Sequence, residues 1–109
     1  MLKVMIVDDE ILVRVGLKTA VDWGKFNMQI AGEASNGKEA LEVFEEIRPD
    51  IVITDIRMPE MDGIAFIKEI RRRNESVKIL ILSCYDDFSY AKDAIKYGVS
   101  EYILKPTML

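Results

Sequence analysis

The stretch IVITDIRMPEMDG, residues 51–63, begins with four apolar or β-branched residues that lead directly into Asp55. A short apolar run without strict alternation is typical of a strand that is covered on both faces. Pro59 has a fixed φ and no amide hydrogen, so it ends regular structure and makes a rigid corner. Asp62-Gly63 then predicts an N-cap and a turn before a helix. We therefore expect a buried strand that carries a carboxylate to its end.

Similar apolar runs recur along the whole chain and alternate with longer segments of helical periodicity. Strands are predicted at residues 4–7, 28–31, 51–54, 77–82 and 102–104. Helices are predicted at residues 11–21, 38–47, 64–73 and 87–97, the last closed by Gly98. Regular alternation of strand and helix implies right-handed crossovers and an α/β fold, with a parallel sheet between helices on both faces.

The composition limits the class of protein. The 109 residues are 50% hydrophobic and carry a net charge of −4 with no histidine, which predicts one domain and argues against a nucleic-acid surface in this chain. The basic residues are scattered except for Arg71, Arg72 and Arg73, which we interpret as solvated helix residues. Cys84 is the single cysteine, and the N-terminus fits neither a signal peptide nor a membrane span. We expect a soluble cytoplasmic domain that makes no membrane contact.

Polar residues are concentrated where the predicted strands end. Ligand sites of parallel sheets lie outside the carboxyl ends of the strands. An N-cap for the first helix is the alternative interpretation of Asp8 or Asp9 taken singly, but it does not explain the set. The residues at these ends are Asp8, Asp9, Asp55, Ser83 and Lys105.

Several carboxylates in one crevice would repel one another and raise one another's pKa, so a cation is needed among them. Mg²⁺ prefers oxygen ligands, and the chain has no histidine and only one cysteine for a softer metal. A metal, a reachable carboxylate, a hydroxyl and a lysine together suit phosphoryl transfer, with Asp55 attacking phosphorus.

At this point four motifs in order resemble a known family, the receiver domains of two-component response regulators. They are IVDDE after the first strand, DIRMPEMDG after the third, Ser83 after the fourth and LKP after the fifth. The resemblance covers essentially the whole chain. It implies a flavodoxin-like doubly wound sheet of five parallel strands in the order 2-1-3-4-5.

The resemblance also implies a role for individual residues. Asp55 would be the phosphoacceptor, phosphorylated by a sensor histidine kinase, and Ser83 and Tyr102 the switch residues. Lys105 would pair with the phosphate, and Pro106 would carry a cis peptide bond. The Mg²⁺ ligands would be Asp9 directly, Asp8 through water and Arg57 through its backbone carbonyl, with Asp55 also at the metal.

The sequences of the motifs resemble those of receivers that are fused to AraC-like helix-turn-helix domains. We therefore expect a transcription-regulating effector domain beyond Leu109. Receivers usually end in a fifth helix, which is missing from this chain after KPTML. The edge that this helix would cover should then be exposed and apolar, and self-association or reduced stability is expected.

The predicted fourth helix has a wide apolar face that includes Tyr90 and Tyr97. We interpret these two tyrosines as a surface for homodimerisation after phosphorylation, with deep burial of the helix as the alternative. Cys84 is interpreted as a small packing residue.

Two other functions are compatible with parts of the pattern. A receiver fold can act as an interaction module without phosphorylation, but such modules typically lose an acidic residue or the lysine, and here all are present. A haloacid-dehalogenase-like phosphatase would need a second aspartate where this chain has Arg57. We therefore expect a signalling phosphoacceptor, which assists its own phosphorylation and dephosphorylation, rather than an enzyme.

Overall fold

The computed structural model describes residues 1–74, 76–83 and 88–104, with the backbone alone for Phe88 and Ala91. The predictions for Cys84, Lys105 and Pro106 lie outside these residues.

Five strands form one parallel sheet in the order β2-β1-β3-β4-β5, which confirms the predicted topology. The sequence prediction of β2 stopped too early, because Gly32 and Glu33 interrupt its apolar run. Pairing with β1 nevertheless continues through Ala34, opposite Val7. The strands are β1 Leu2–Val7, β2 Met28–Ala34, β3 Ile51–Thr54, β4 Lys78–Ser83 and β5 Glu101–Leu104.

Within the described residues, four α-helices connect the strands, close to the predicted positions. The aspartate and the glycine that the sequence marked as helix signals have the expected roles. Asp62 caps the third helix by accepting a hydrogen bond from the amide of Ala65 at 2.9 Å. Gly98 has a φ of 66° and closes the fourth helix. The sequence did not predict a short 3₁₀ helix at Trp23–Phe26. The α-helices are α1 Ile11–Ala20, α2 Gly37–Ile47, α3 Gly63–Arg73 and α4 Phe88–Lys96.

Each face of the sheet packs against helices, because successive strand residues point to opposite sides. The larger core lies on one face, where Met5 and Val7 pack among residues of α2, α3 and α4 such as Phe44 and Phe66. On the other face, Ile6 and Leu82 pack with Leu17 of α1. The prediction of helices on both faces is therefore confirmed.

Part of the face that carries α1 is an open apolar groove of about 420 Å³. Within the described part of the chain it is lined mainly by Ile51, Ile53, Leu80, Trp23 and Met28. None of the helices described is long and apolar enough to span a bilayer.

Arg71 is not the solvated helix residue that the sequence suggested. Its guanidinium donates hydrogen bonds to the carbonyl oxygens of Tyr97 at 2.7 Å, Gly98 at 3.1 Å and Val77 at 2.8 Å. These contacts join the end of α3 to the end of α4 and to the loop before β4. A local helical pattern could not show this, because two of the three acceptors are more than twenty residues away along the chain.

We expect Arg71→Met to lower the free energy of unfolding by about 2 kcal/mol, because a charged donor with several carbonyl acceptors is lost. Arg72→Met is the matched control: its side chain is 76% exposed and pairs with Glu69 on the surface, so the change should be within about 0.5 kcal/mol. Urea unfolding followed by Trp23 fluorescence measures both. Equal stability of the two variants would contradict the conclusion that Arg71 stabilises the fold by joining α3 to α4 and to the loop before β4.

Candidate functional site

The carboxyl ends of β1 and β3 place two aspartates side by side. Val7 pairs with Thr54 across the two strands, and Asp8 and Asp55 are the next residues of each. The amide of Asp55 donates to the carbonyl oxygen of Val7 at 2.9 Å, so the pairing continues into the acidic residues. The strand register therefore brings together two of the carboxylates that the sequence assigned to one site.

Asp8 and Asp55 are both almost completely buried, with 2% and 4% of their surface exposed. A buried carboxylate is costly unless hydrogen bonds compensate for lost water. One oxygen of Asp55 accepts from the amide of Ile56 at 2.7 Å, and one oxygen of Asp8 accepts from the amide of Glu10 at 2.9 Å. Backbone amides thus stabilise both side chains at the edge of the sheet.

Asp8, Asp9 and Glu10 form a group whose carboxylate oxygens lie within 4.8 Å of one another. Asp8 is buried, whereas Asp9 and Glu10 are exposed. The strand-end pattern pointed to the two aspartates. It did not point to Glu10, which completes the acidic run in VDDE but stands where a helix begins. Asp55 is not a member of this group of three.

The chemistry of this donor set fits a hard divalent cation. Carboxylate oxygens are preferred ligands of Mg²⁺, which keeps several of its waters when bound.

The interpretation of Asp8 or Asp9 as the N-cap of α1 is wrong, because the N-cap residue is Glu10 and it makes no side-chain capping bond.

Ser83 ends β4 and is fully buried, at the same edge of the sheet as the acidic residues. It pairs with Leu104 of β5, the last described residue before Lys105. Tyr102 lies two residues earlier on β5, is partly buried and packs against the larger core. The structure thus places Ser83 where the sequence predicted it, and Tyr102 beside β4.

Two glycines, one at the start of α2 and one at the start of α3, allow these helices to lie close to the backbone that follows Asp55. The amide of Gly63 donates to the carbonyl oxygen of Ile56 at 2.6 Å, and a Cβ at position 63 would collide with the carbonyl oxygen of Asp55. Gly37 at the start of α2 donates to the carbonyl oxygen of Met61 at 2.8 Å, and a Cβ there would also meet that oxygen. Gly63 is therefore required by close approach, whereas the sequence suggested only a turn.

The side chain of Arg57 connects the loop to α4. Its Nε donates to the hydroxyl of Tyr90 at 3.0 Å, and its guanidinium carbon lies 6.0 Å from the centre of the tyrosine ring. The motifs gave no indication of this contact between Arg57 and α4. Tyr90 and Tyr97 are partly buried and pack against the larger core. Their role as a partner surface stays a prediction.

The family model for response regulator receiver domains matches residues 4–109. The transcriptional regulatory protein YesN of Bacillus subtilis is 42% identical over 106 residues, which are 97% of this chain and 29% of the relative. The transcriptional regulatory protein HptR of Staphylococcus aureus is also 42% identical, over 97% of this chain and 41% of the relative. The chain thus spans less than half the length of these curated relatives.

Solved structures show the same similarity. The REC domain of AraT, a response regulator from Geobacillus stearothermophilus, has a TM-score of 0.90 and 42% identity, over 97% of this chain and 82% of that one. CheY in its complex with CheX, BeF₃ and Mg²⁺ from Borrelia burgdorferi has a TM-score of 0.89 and 28% identity, over 98% of this chain and 80% of that one.

Gly63→Ala should lower the free energy of unfolding by roughly 2 kcal/mol or more, because the methyl group forces α3 away from the backbone of Asp55. The matched control is Gly16→Ala, within α1, where a methyl group would meet no atom within 4 Å among the described residues. That change should stabilise the protein by up to about 1 kcal/mol through helix propensity. Thermal unfolding compares the variants, and a Gly63→Ala protein as stable as the parent would contradict the packing role.

Proposed function

Because the chain belongs to the response regulator receiver domain family, we propose that Asp55 is its phosphoacceptor and that a sensor histidine kinase is the donor. The observation that carries this proposal is the buried Asp55 at the end of β3, beside the acidic residues that follow β1. A carboxylate oxygen of Asp55 would attack phosphorus while the bond from phosphorus to the donor breaks, which leaves an acyl phosphate.

The proposed metal ligands are Asp8, Asp9, Asp55 and the backbone carbonyl of Arg57, and the geometry adds Glu10 as a neighbouring carboxylate. When bound, Mg²⁺ would neutralise negative charge on the phosphoryl oxygens. The acidic group supports this assignment because hard oxygen donors are already gathered at the edge where Asp55 lies.

The proposed switch uses residues that surround the new phosphate. A phosphoryl group adds about −1.5 to −2 charges and three acceptor oxygens. The hydroxyl of Ser83 and the ammonium of Lys105 would donate to these oxygens. Movement of Ser83 would displace the segment leading into α4, and Tyr102 would occupy the space that this segment leaves. The result is a changed surface on α4 and β5.

We further propose that this surface controls a transcription-regulating domain elsewhere in a longer cytoplasmic protein. The greater length of YesN and HptR, both transcriptional regulatory proteins, supports this view. An AraC-like helix-turn-helix effector is the type that the motifs favour. The receiver itself would act as a signalling phosphoacceptor that makes no direct contact with nucleic acid, in accord with its net charge of −4.

Incubation with acetyl phosphate and Mg²⁺ should increase the intact mass by one phosphoryl group, and Asp55→Asn should abolish the increase. Asp50→Asn is the matched control, because Asp50 is exposed, lies at the opposite end of β3 and binds the amide of Lys3 at 2.8 Å. That variant should still be modified. An adduct on the Asp55→Asn protein, or none on the parent protein, would refute the phosphoacceptor assignment.

We also propose that phosphorylation promotes homodimerisation through Tyr90 and Tyr97. Changing both to Ser should weaken self-association of the phosphorylated protein without preventing phosphorylation. Sedimentation velocity with and without the phosphoryl mimic beryllofluoride measures the association. Because both rings pack against the core, thermal unfolding of each variant provides the control for folding. Unchanged association of a folded double variant would exclude this surface.

A further inference from the structure

Arg14 of α1 connects the acidic turn to β2. Its Nη1 donates to the backbone carbonyl oxygen of Asp8 at 2.6 Å, and its Nε donates to a carboxylate oxygen of Glu33 at 2.8 Å. Only 14% of the Arg14 side chain is exposed, so the two bonds belong to a largely buried side chain. Neither the motifs nor the helical pattern pointed to this residue.

The bond from Arg14 is one of several hydrogen bonds that hold Asp8 in place. The amide of Asp8 donates to the carbonyl oxygen of Ala34 at 3.0 Å, and a carboxylate oxygen of Asp8 accepts from the amide of Glu10 at 2.9 Å. With Arg14 on its carbonyl oxygen, the residue is held at its amide, its carbonyl and its side chain. The peptide that leads to Asp9 therefore has a defined orientation.

Glu33 in turn holds Arg14 in place. Lys18 binds the other carboxylate oxygen of Glu33 at 2.6 Å. The hydrogen bond from Lys18, together with that from Arg14, lowers the pKa of Glu33 below its usual value despite partial burial. The carboxylate is consequently charged at neutral pH and fixes the guanidinium by a charge-assisted bond.

We propose that Arg14 is a positioning residue for the cation site, which it serves by orienting the turn of Asp8, Asp9 and Glu10. The inference rests on the proposed function, because the cation is the Mg²⁺ of the phosphoacceptor site. Groups that orient metal ligands typically contribute a factor of about 10 to 100 in metal affinity.

The positive charge of Arg14 opposes a cation, whereas its hydrogen bond to Asp8 favours one. A variant of Lys18 separates these two effects. Lys18 carries the same charge as Arg14 and binds the same carboxylate, that of Glu33. Arg14→Met and Lys18→Met each remove one positive charge from the ion-pair cluster. Arg14 donates to the carbonyl oxygen of Asp8, whereas the bond described for Lys18 goes to Glu33.

The test measures Mg²⁺ affinity without a phosphoryl donor, by titration of backbone amide signals in NMR spectra of the folded proteins. Arg14→Met should weaken Mg²⁺ binding about tenfold. Lys18→Met should leave it unchanged or slightly tighter. In the absence of Mg²⁺, the amide of Glu10 should exchange its hydrogen faster in Arg14→Met than in Lys18→Met. Binding by Arg14→Met that is as tight as in the parent protein would overturn the proposal.

Two further measurements keep the outcomes distinct. If Arg14→Met does not fold, Arg14→Lys replaces it, and Mg²⁺ affinity equal to that of the parent protein despite faster exchange of the Glu10 amide would again reject the positioning role. A parent protein that binds Mg²⁺ and forms the Asp55 adduct, combined with an unaffected Arg14 variant, would refute this inference alone. A parent protein that neither binds Mg²⁺ nor forms the adduct would refute the proposed function and the inference with it.

Discussion

The hydrogen-bonded register between β1 and β3 is the constraint on which the site depends. Val7 faces Thr54, and the amide of Asp55 continues the ladder to the carbonyl oxygen of Val7. A slip of one residue would reverse the face to which every side chain of β3 points. The apolar residues of β3 are packed on both faces, so such a slip would also remove Val52 from the larger core. Packing of the core thus fixes the position of Asp55 relative to Asp8.

Burial of two carboxylates at neighbouring strand ends opposes folding unless their charge is compensated. The protein provides amide donors from the residues that follow: Ile56 for Asp55 and Glu10 for Asp8. Such donors satisfy individual oxygen atoms but add no full positive charge to the crevice. Together with the carboxylates of the exposed Asp9 and Glu10, the oxygen atoms at this edge are ligands of the kind that a hard divalent cation prefers.

The fold was predictable because short apolar runs and helical stripes depend on local sequence, and Ile51–Thr54 was located without error. The candidate acids were predictable for the same reason, since each follows such a run. Three other features were not predictable from the sequence: the hydrogen bonds of Arg71, the bond of Arg14 to Glu33 and the close approach of backbone at Gly63. Each of these depends on a contact between separate elements of the fold, and a periodic pattern contains no information about those contacts.

The described contacts of α4 connect both of its ends to other elements of the fold. At the C-terminal end, Arg71 donates to two carbonyl oxygens, those of Tyr97 and Gly98, and to a third in the loop before β4. Toward the N-terminal end, Arg57 of the loop after Asp55, which is exposed, donates to the hydroxyl of Tyr90. A hydrogen bond at an exposed site contributes about 1 kcal/mol or less, and several bonds from one partly buried guanidinium contribute more. Among the described residues, α4 is thus bound to the loop after Asp55 near Tyr90 and to α3 at its C-terminal end, so a displacement of α4 near Tyr90 would break the bond with Arg57.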